Sequence, residues 1–267
     1  MPKMTVKEIK SAVRFEAENY IPFSIDKVYF DSQIIYPLTV SKNQTDVLIA
    51  AFPKKIVDSY VKAIHKAGLI PVSLETESQA TIRALIPKQR TKDPVFLIDL
   101  GSAGTSFILC SGSFLCYSSF VPISSDRFTE SIADSLGVEL SEAEKLKKTY
   151  GFQRVGNVGK RVFEALLPQL NELVSQIKKH IDYCESHAVY EGIIGKDKTL
   201  KKILLCGGGV NLKGLVEFLS QETGLIVEKG DALVNLSEDI KGNEEFSNKK
   251  LLAYTTAIGL ALRGNQK

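Results

Sequence analysis

The stretch Val95–Phe114, VFLIDLGSAGTSFILCSGSF, decides how this chain is to be read. An apolar run ends in Asp99, turns between Gly101 and Gly104, restarts as Ser106-Phe-Ile-Leu-Cys110 and turns again at Ser111-Gly112-Ser113. Two strands joined by a glycine-bearing turn make a β-hairpin. The turn has two readings. A strand end with a carboxylate, a glycine and a nearby hydroxyl lets main-chain N–H groups approach phosphate oxygens, while Asp99 holds Mg²⁺ through water. Equally, glycine supplies the positive φ that turns favour, and aspartate is itself a turn former.

Downstream, the pattern continues as strands over 95–100, 105–110 and 114–121, then helices from about Asp126 to Leu136 and from about Glu142 to Tyr150. Val162, Phe163, Leu166, Leu170, Leu173, Ile177, Ile181, Cys184 and Ala188 keep helical spacing, which predicts one long packed helix. Lys202–Cys206 reads as a strand emptying into Gly207-Gly208-Gly209. A helix from about Leu212 to Glu222, a short strand at 225–228, a polar loop SEDIKGNEEFSNKK and a last helix at Lys250–Arg263 follow.

Upstream, Thr5 and Glu8 are spaced as a capping box ahead of Val6, Ile9, Val13 and Ala17, so TVKEIKSAVRFEAENYIPF is an amphipathic helix. Lys27–Ile35 and Asp46–Phe52 read as strands, Lys54–Ala67 as a helix stopping at Gly68, and Ile70–Leu74 as a third strand. Residues 1–75 are thus expected to form a small αββαβ module. A helix at 78–86 and a charged break at Gln89–Pro94 connect it to the next unit.

Composition narrows the function classes. The 267 residues are 44% hydrophobic, enough to bury a substantial core, and their 34 basic and 31 acidic side chains are interspersed, with a net charge of only +3. Nothing there marks a nucleic-acid partner. The four cysteines form neither a C-x-x-C motif nor a compact framework, and no secretory leader is seen, which fits a reduced, cytosolic protein. No apolar run approaches the ~18 residues that cross a bilayer, so membrane association is expected through a partner rather than by insertion.

Three further clusters are candidates for chemistry. In ILLCGGGVNLKGL, Ile203–Leu215, a strand runs into three glycines and a helix, where a flat ring or phosphate could lie on bare backbone. It is not a Walker loop, since the G-K-[ST] ending is absent. In SEAEKLKKTYG, Ser141–Gly151, Glu144 and Lys147 share one helix face and could grip a ribose and a base edge. The plainer reading is a capping box of Ser141 with Glu144. His180, Cys184 and His187 share a helical face, but one helix supplies at most three of the four ligands a structural zinc site uses, and a packed helix is the expectation.

The clusters occur in a fixed order: D-x-G-x-x-x-T at Asp99, Gly101 and Thr105, A-E-x-x-K at Ala143, Glu144 and Lys147, and G-G-G-x-x-L-x-G from Gly207 to Gly214. That order resembles the actin-like ATPase superfamily, an α/β fold of the ribonuclease H-like type. The stretches SAVRFEAENYIPFSIDKVYFD, VPISSDRFTESIADSLGVELSEAEKLKKTYG and ILLCGGGVNLKGLVEFLSQETGLIVE are similar to the PilM family of type IV pilus assembly proteins, relatives of FtsA, nearly end to end. The resemblance implies a small subdomain at 1–75, a connector at 76–93 and a second actin-like lobe at 94–230 whose outer helices span 152–198. Residues 231–267 would return as a loop and helix to the first lobe. It implies ATP and Mg²⁺ as cofactors. Asp99, Gly101 and Thr105 would face phosphate and Mg²⁺, Glu144 and Lys147 the nucleoside, and Gly207, Gly208 and Gly209 the adenine and α-phosphate.

One departure matters. The family begins with a strand hairpin bearing a first phosphate loop, and this sequence has no glycine before Gly68. The expectation is an N-terminally shortened actin-like fold, from a fragment or a short homologue, with its phosphate clamp open on one side and no sheet for LLAYTTAIGLAL to cover. Function by resemblance is a cytoplasmic scaffold of the inner-membrane pilus platform that in its complete form binds ATP and the N-terminal peptide of a PilN-like protein, with weak or absent ATPase activity and pilus motor ATPases as further partners. The alternatives are an ATPase with turnover, for which Glu77 with Glu75 behind it is the water-orienting candidate, and an FtsA-like division protein. Against the last, that family ends in an amphipathic membrane-targeting helix and this sequence ends in LRGNQK.

Overall fold

A computed structural model describes residues 1–35, 45–87, 93–190, 200–241 and 247–264. Parts of the expected charged break, of the outer helical region to 198 and of the polar loop before the last helix lie outside these residues. The chain divides into two units, Met1–Glu75 and Thr76–Lys267.

In the first unit, α1 (Val6–Ala17) opens with a complete capping box: the Thr5 N–H donates to Glu8 Oε2 at 2.8 Å and the Glu8 N–H to Thr5 Oγ1 at 3.4 Å. Its buried stripe is Ile9, Val13 and Ala17, one side chain per turn. β1 (Val28–Ile35) and β2 (Asp46–Pro53) form an antiparallel pair running from Val28 opposite Pro53 to Ile35 opposite Asp46. α2 (Lys54–Lys66) follows at once and ends in a Schellman closure, the Gly68 N–H bonding His65 O at 3.0 Å and the Leu69 N–H bonding Ile64 O at 3.1 Å.

The third strand expected at Ile70–Leu74 is not formed, so the module is αββα rather than αββαβ. The segment carries strand-forming side chains but joins no ladder among the described residues, and Pro71 removes a donor from it. Strand propensity without a partner edge leaves Ile70 and Val72 81% and 91% exposed.

The second unit is built on a five-stranded sheet. β3 (Val95–Leu100), β4 (Thr105–Ser111) and β5 (Phe114–Val121) form an antiparallel meander, and β6 (Lys202–Cys206) and β7 (Ile226–Lys229) add in parallel beyond β3, giving the order β5-β4-β3-β6-β7. β3 is buried along almost its whole length, as a central strand covered on both faces must be. Between β5 and β6 come α4 (Ser125–Leu136), α5 (Leu140–Tyr150) and the 35-residue α6 (Gly156–Tyr190), whose Val162, Leu166, Leu170, Leu173, Ile177 and Cys184 enter the same core as Phe96, Phe107 and Phe128.

Two boundaries differ from expectation. α7 (Leu215–Thr223) starts after a 3₁₀ turn at Gly208–Asn211, so the backbone past the glycines is tighter than an α-helix from Leu212 would make it. A short α8 (Glu238–Lys241) lies within the expected polar loop, and the last helix is not one continuous α-helix: α9 (Asn248–Leu251) passes through a 3₁₀ turn at Leu252–Tyr254 into α10 (Thr255–Arg263). The Leu252 carbonyl is the reason. It accepts from the Gly207 N–H at 2.9 Å and from Thr255 Oγ1 at 2.8 Å, bonds that compete with a regular helical ladder. α10 crosses α3 (Glu77–Leu85), where the Gly259 backbone lies directly on Ala80. Arg83 Nη1 donates to Gly259 O at 2.9 Å, and α3 itself lies on the sheet, Ser78 Oγ bonding Ser118 Oγ of β5 at 2.6 Å.

Candidate functional site

The register of the sheet assembles the site. β3 and β6 run parallel with Asp99 opposite Cys206, so the loop after β3 and the glycines after β6 leave the sheet side by side at its carboxyl edge, where ligands of parallel sheets are commonly held. Gly207 turns at φ +88°, and a side chain there would collide with Asp99 Oδ1 and the Leu100 carbonyl. Only glycine fits. Gly209 presses on the Leu100 side chain. Gly208 is different, being exposed with Ala253 Cβ, at 3.9 Å, as the nearest atom to an added Cβ. The protein's own packing does not require a glycine there, and the space it leaves is what a ligand lying on bare backbone needs.

The loop from Gly101 to Gly104 is closed on itself by the Gly101 N–H donating to Gly104 O at 2.9 Å, and it is fastened to the start of α4. The Ser125 N–H donates to Gly101 O at 3.0 Å and the Asp126 N–H to Ser102 O at 3.2 Å. Ser124 caps that helix through Oγ, which accepts from the Arg127 N–H at 3.2 Å. Thr105, expected to face phosphate, is fully buried and spends its hydroxyl on Ile123 O at 2.6 Å. The main-chain N–H groups of Gly101 and Gly207 are likewise committed, to Gly104 O and Leu252 O. Ahead of the loop, near the end of β3, Asp99 is largely buried beside Gly207, with Glu77 at the head of α3 close enough to act on it. Burial, with the Glu77 charge added, pushes the Asp99 carboxyl up to about 6. Two carboxylates that repel and an oxygen-only donor set suit a hard divalent cation such as Mg²⁺, whose charge would offset that repulsion.

Glu144 and Lys147 meet as predicted but not as a capping box. α5 begins at Leu140 with Glu139 before it, so Ser141 lies inside the helix, and Glu144 reaches across to α4 instead. Its Oε2 accepts from Lys147 Nζ at 2.6 Å and from Thr129 Oγ1 at 2.6 Å, while Oε1 pairs with Lys148 at 3.2 Å. Partial burial pushes this carboxyl up, but those hydrogen bonds and the Lys147 charge outweigh it and hold it at about 2. Lys147 is 3% exposed and also donates to Ser125 O, Ser125 Oγ and Thr129 Oγ1 at 2.7, 2.9 and 2.7 Å. Ser125 and Thr129 were not legible as site residues, since S-S-D at a helix start reads as a cap and nothing marks Thr129 as facing a helix 15 residues on. Beyond α5, Gly151 packs on the Lys213 backbone and the Phe152 N–H donates to Lys213 O at 2.8 Å, which locks the end of α5 to the glycine loop.

Of the His180, Cys184 and His187 face, the first two are buried in packing and His187 is exposed, stacked on Tyr183. His180 Nδ1 bonds Tyr117 Oη at 2.7 Å against Phe107, Cys184 is buried, and His187 Nδ1 lies 3.0 Å from Tyr183 O. Among the described residues no helix is long and apolar enough to cross a membrane.

The mixed five-stranded sheet with the loop after β3 and the glycines after β6 at one carboxyl edge is that of an actin-like ATPase fold. Solved structures with this architecture include MreB5 of Spiroplasma citri bound to AMPPNP, 12% identical with a TM-score of 0.54 over 79% of this chain and 66% of that one. EutJ of Carboxydothermus hydrogenoformans, 18% identical with a TM-score of 0.53, covers 77% of this chain and 60% of its own. The chain belongs to the family described as Type IV pilus assembly protein PilM, which matches residues 2–265. A solved PilM–PilN type IV pilus biogenesis complex is similar over the whole chain and 75% of its own, at 29% identity and a TM-score of 0.76. Escherichia coli K12 FtsA is 21% identical over 98% of this chain, which spans 65% of the length of that relative.

Proposed function

We propose that this chain serves type IV pilus assembly as an actin-like scaffold on the cytoplasmic side of the inner membrane, holding Mg-ATP and an N-terminal segment of a PilN-like membrane protein. The observation that carries the reading is the likeness, over all of this chain and 75% of the solved one, to a PilM–PilN complex. Motor ATPases are proposed as further partners, and attachment to the membrane runs through the PilN-like protein rather than by insertion. Nucleotide would be held by Asp99 and the loop 101–104 on the phosphate side, by Gly208 and the backbone of 207–209 under the base, and by Glu144 on the ribose. Support for that assignment is the open surface at Gly208 and the pair of carboxylates at Asp99. Asp99 would hold Mg²⁺, whose charge would offset that of the phosphates. Glu77 is exposed at the head of α3 and would orient a water if turnover occurs.

The experiment is a pair of titrations on the full chain. Mg-ATP at a hundred times its dissociation constant raises stability by ~2.7 kcal/mol, and the rise is lost in Asp99→Ala. A synthetic peptide with the cytoplasmic N-terminal sequence of the PilN-like protein is retained on immobilised protein. A Mg-ATP-induced rise of equal size in wild type and Asp99→Ala, or no rise in either, would remove the nucleotide assignment. Absence of peptide retention would remove the scaffold reading.

A further inference from the structure

Ser125, the first residue of α4, touches both halves of the proposed site. Its N–H donates to Gly101 O at 3.0 Å, and its carbonyl and hydroxyl oxygens accept from Lys147 Nζ at 2.7 and 2.9 Å. Lys147 has only three protons, and four oxygens stand within 2.9 Å of it: those two, Thr129 Oγ1 and Glu144 Oε2. The one Thr129 proton goes to Glu144 Oε2 at 2.6 Å rather than to Ser125 O at 3.3 Å, because the charged oxygen is nearer and the stronger acceptor. Thr129 therefore donates to the carboxylate and accepts from the ammonium.

An ammonium at the first turn of a helix opposes the helix dipole, and a buried one without a carboxylate is costly. Lys147 can hold Ser125 only while Glu144 stays on Lys147. Ser125 in turn fixes the carbonyl of Gly101, the residue that opens the phosphate-side loop. The charged groups bearing on Glu144 are Lys147 and Lys148 of its own helix; from α4 it receives the neutral Thr129.

We propose that Ser125, Thr129 and Lys147 are positioning residues which couple the nucleoside-side carboxylate Glu144 to the loop 101–104, so that Lys147 works from inside the protein and not as a nucleoside contact. The ligand felt at Glu144 is a nucleoside with hydroxyls to donate. Such a ligand competes with Lys147 for the carboxylate and alters the anchoring of the loop, and by reciprocity phosphate on the loop alters affinity at Glu144. The ligand's identity rests on the nucleotide reading above; the wiring does not.

Residue-resolved amide exchange on the full chain tests the wiring without any ligand. Lys147→Met and the near-isosteric Thr129→Val should each speed exchange at Gly101, Ser125 and Asp126 by about tenfold, the scale of a hydrogen bond to a charged group. Gly137, whose N–H bonds Ala133 O at the far end of α4, should be unchanged. Unchanged exchange at the loop, or a rise spread evenly over α4, overturns the proposal. Inorganic triphosphate, which has no nucleoside, supplies the second arm. Its Mg-dependent affinity should fall about tenfold in Lys147→Met. Retained triphosphate affinity with lost ATP affinity would make Lys147 a direct nucleoside ligand and overturn the coupling. A wild type that binds neither ATP nor triphosphate overturns the nucleotide reading, and the exchange pattern alone then decides the wiring.

Discussion

At the scale of single residues the site holds two carboxyls pushed in opposite directions, and each sets a pH window. Asp99 is raised to about 6 by burial and then by Glu77, so its neutral form is favoured in the folded state. That contribution is complete below the ordinary aspartate value and is lost as pH rises through 6. Asp99→Asn should therefore unfold at higher urea than wild type at pH 7.5, by about 2 kcal/mol, and with no advantage at pH 4. An Asn variant less stable at both pH values would show that burial and Glu77 are not what governs Asp99. Glu144 is the reverse case. Held at about 2 by Lys147, Thr129 and Lys148 against its partial burial, it stabilises the fold above the ordinary glutamate range, and this is lost as pH falls toward 2. Its side chain is 36% exposed, so solvent screening limits the loss in Glu144→Gln to about 1 to 2 kcal/mol at pH 7, shrinking to none near pH 2. Urea midpoints across pH check it; a deficit that persists at pH 2 would assign the effect to packing. A sequence shows which residues carry charge but not what they face. Asp99, Glu144 and the glycines were legible because turn chemistry and helical spacing are local, whereas Thr105 pointing at Ile123 and Lys147 at Ser125 depend on how distant elements stack.

At the scale of elements, periodicity gave most of the helices and strands, because in the second unit each buries a face whose spacing matches its own repeat. Two of its failures share one cause. Ile70–Leu74 has the side chains of a strand and no ladder to join, and the run Lys250–Arg263 has the periodicity of a helix but is interrupted where Leu252 O is taken by Gly207. Pairing decides both, and pairing is not a local property. The contact of α3 with α10 was equally hidden. Gly259 allows α10 to lie against the Ala80 backbone, where an added Cβ would overlap Ala80 O. Gly259→Val should therefore force the helices apart and cost about 1 to 3 kcal/mol, while Gly264→Ala, at an exposed site where the added Cβ would come no nearer than 3.7 Å to Ala261 O, should cost well under about 1 kcal/mol. Denaturant titration of the two variants separates them. Equal loss would mean that the crossing is not tight in solution.

At the scale of the whole molecule, the two units are supported very unequally. Buried apolar side chains in Met1–Glu75, among the described residues, are Ile9, Val13, Ala17, Val28 and Val57, whereas the continuous core of the second unit runs from Ile82 to Leu252. The first unit also leaves Phe15 76% exposed, along with Ile70 and Val72, and its sheet has, among the described residues, two strands, a size that is marginal alone. A small unit with so little buried surface should open before the rest. In hydrogen exchange at rising urea, amides of α1 and β2 should exchange at concentrations where those of β3 and β4 remain protected. Simultaneous loss of protection would show instead that the chain unfolds as one cooperative body. The same experiment bears on the proposed partner, because a ligand that binds only the folded first unit stabilises it by mass action without changing the exchange of β3. If the PilN-like peptide seats on Met1–Glu75, adding it in excess should move the early transition toward the late one. If it seats on the second unit, the late transition should move and the early one stay where it was.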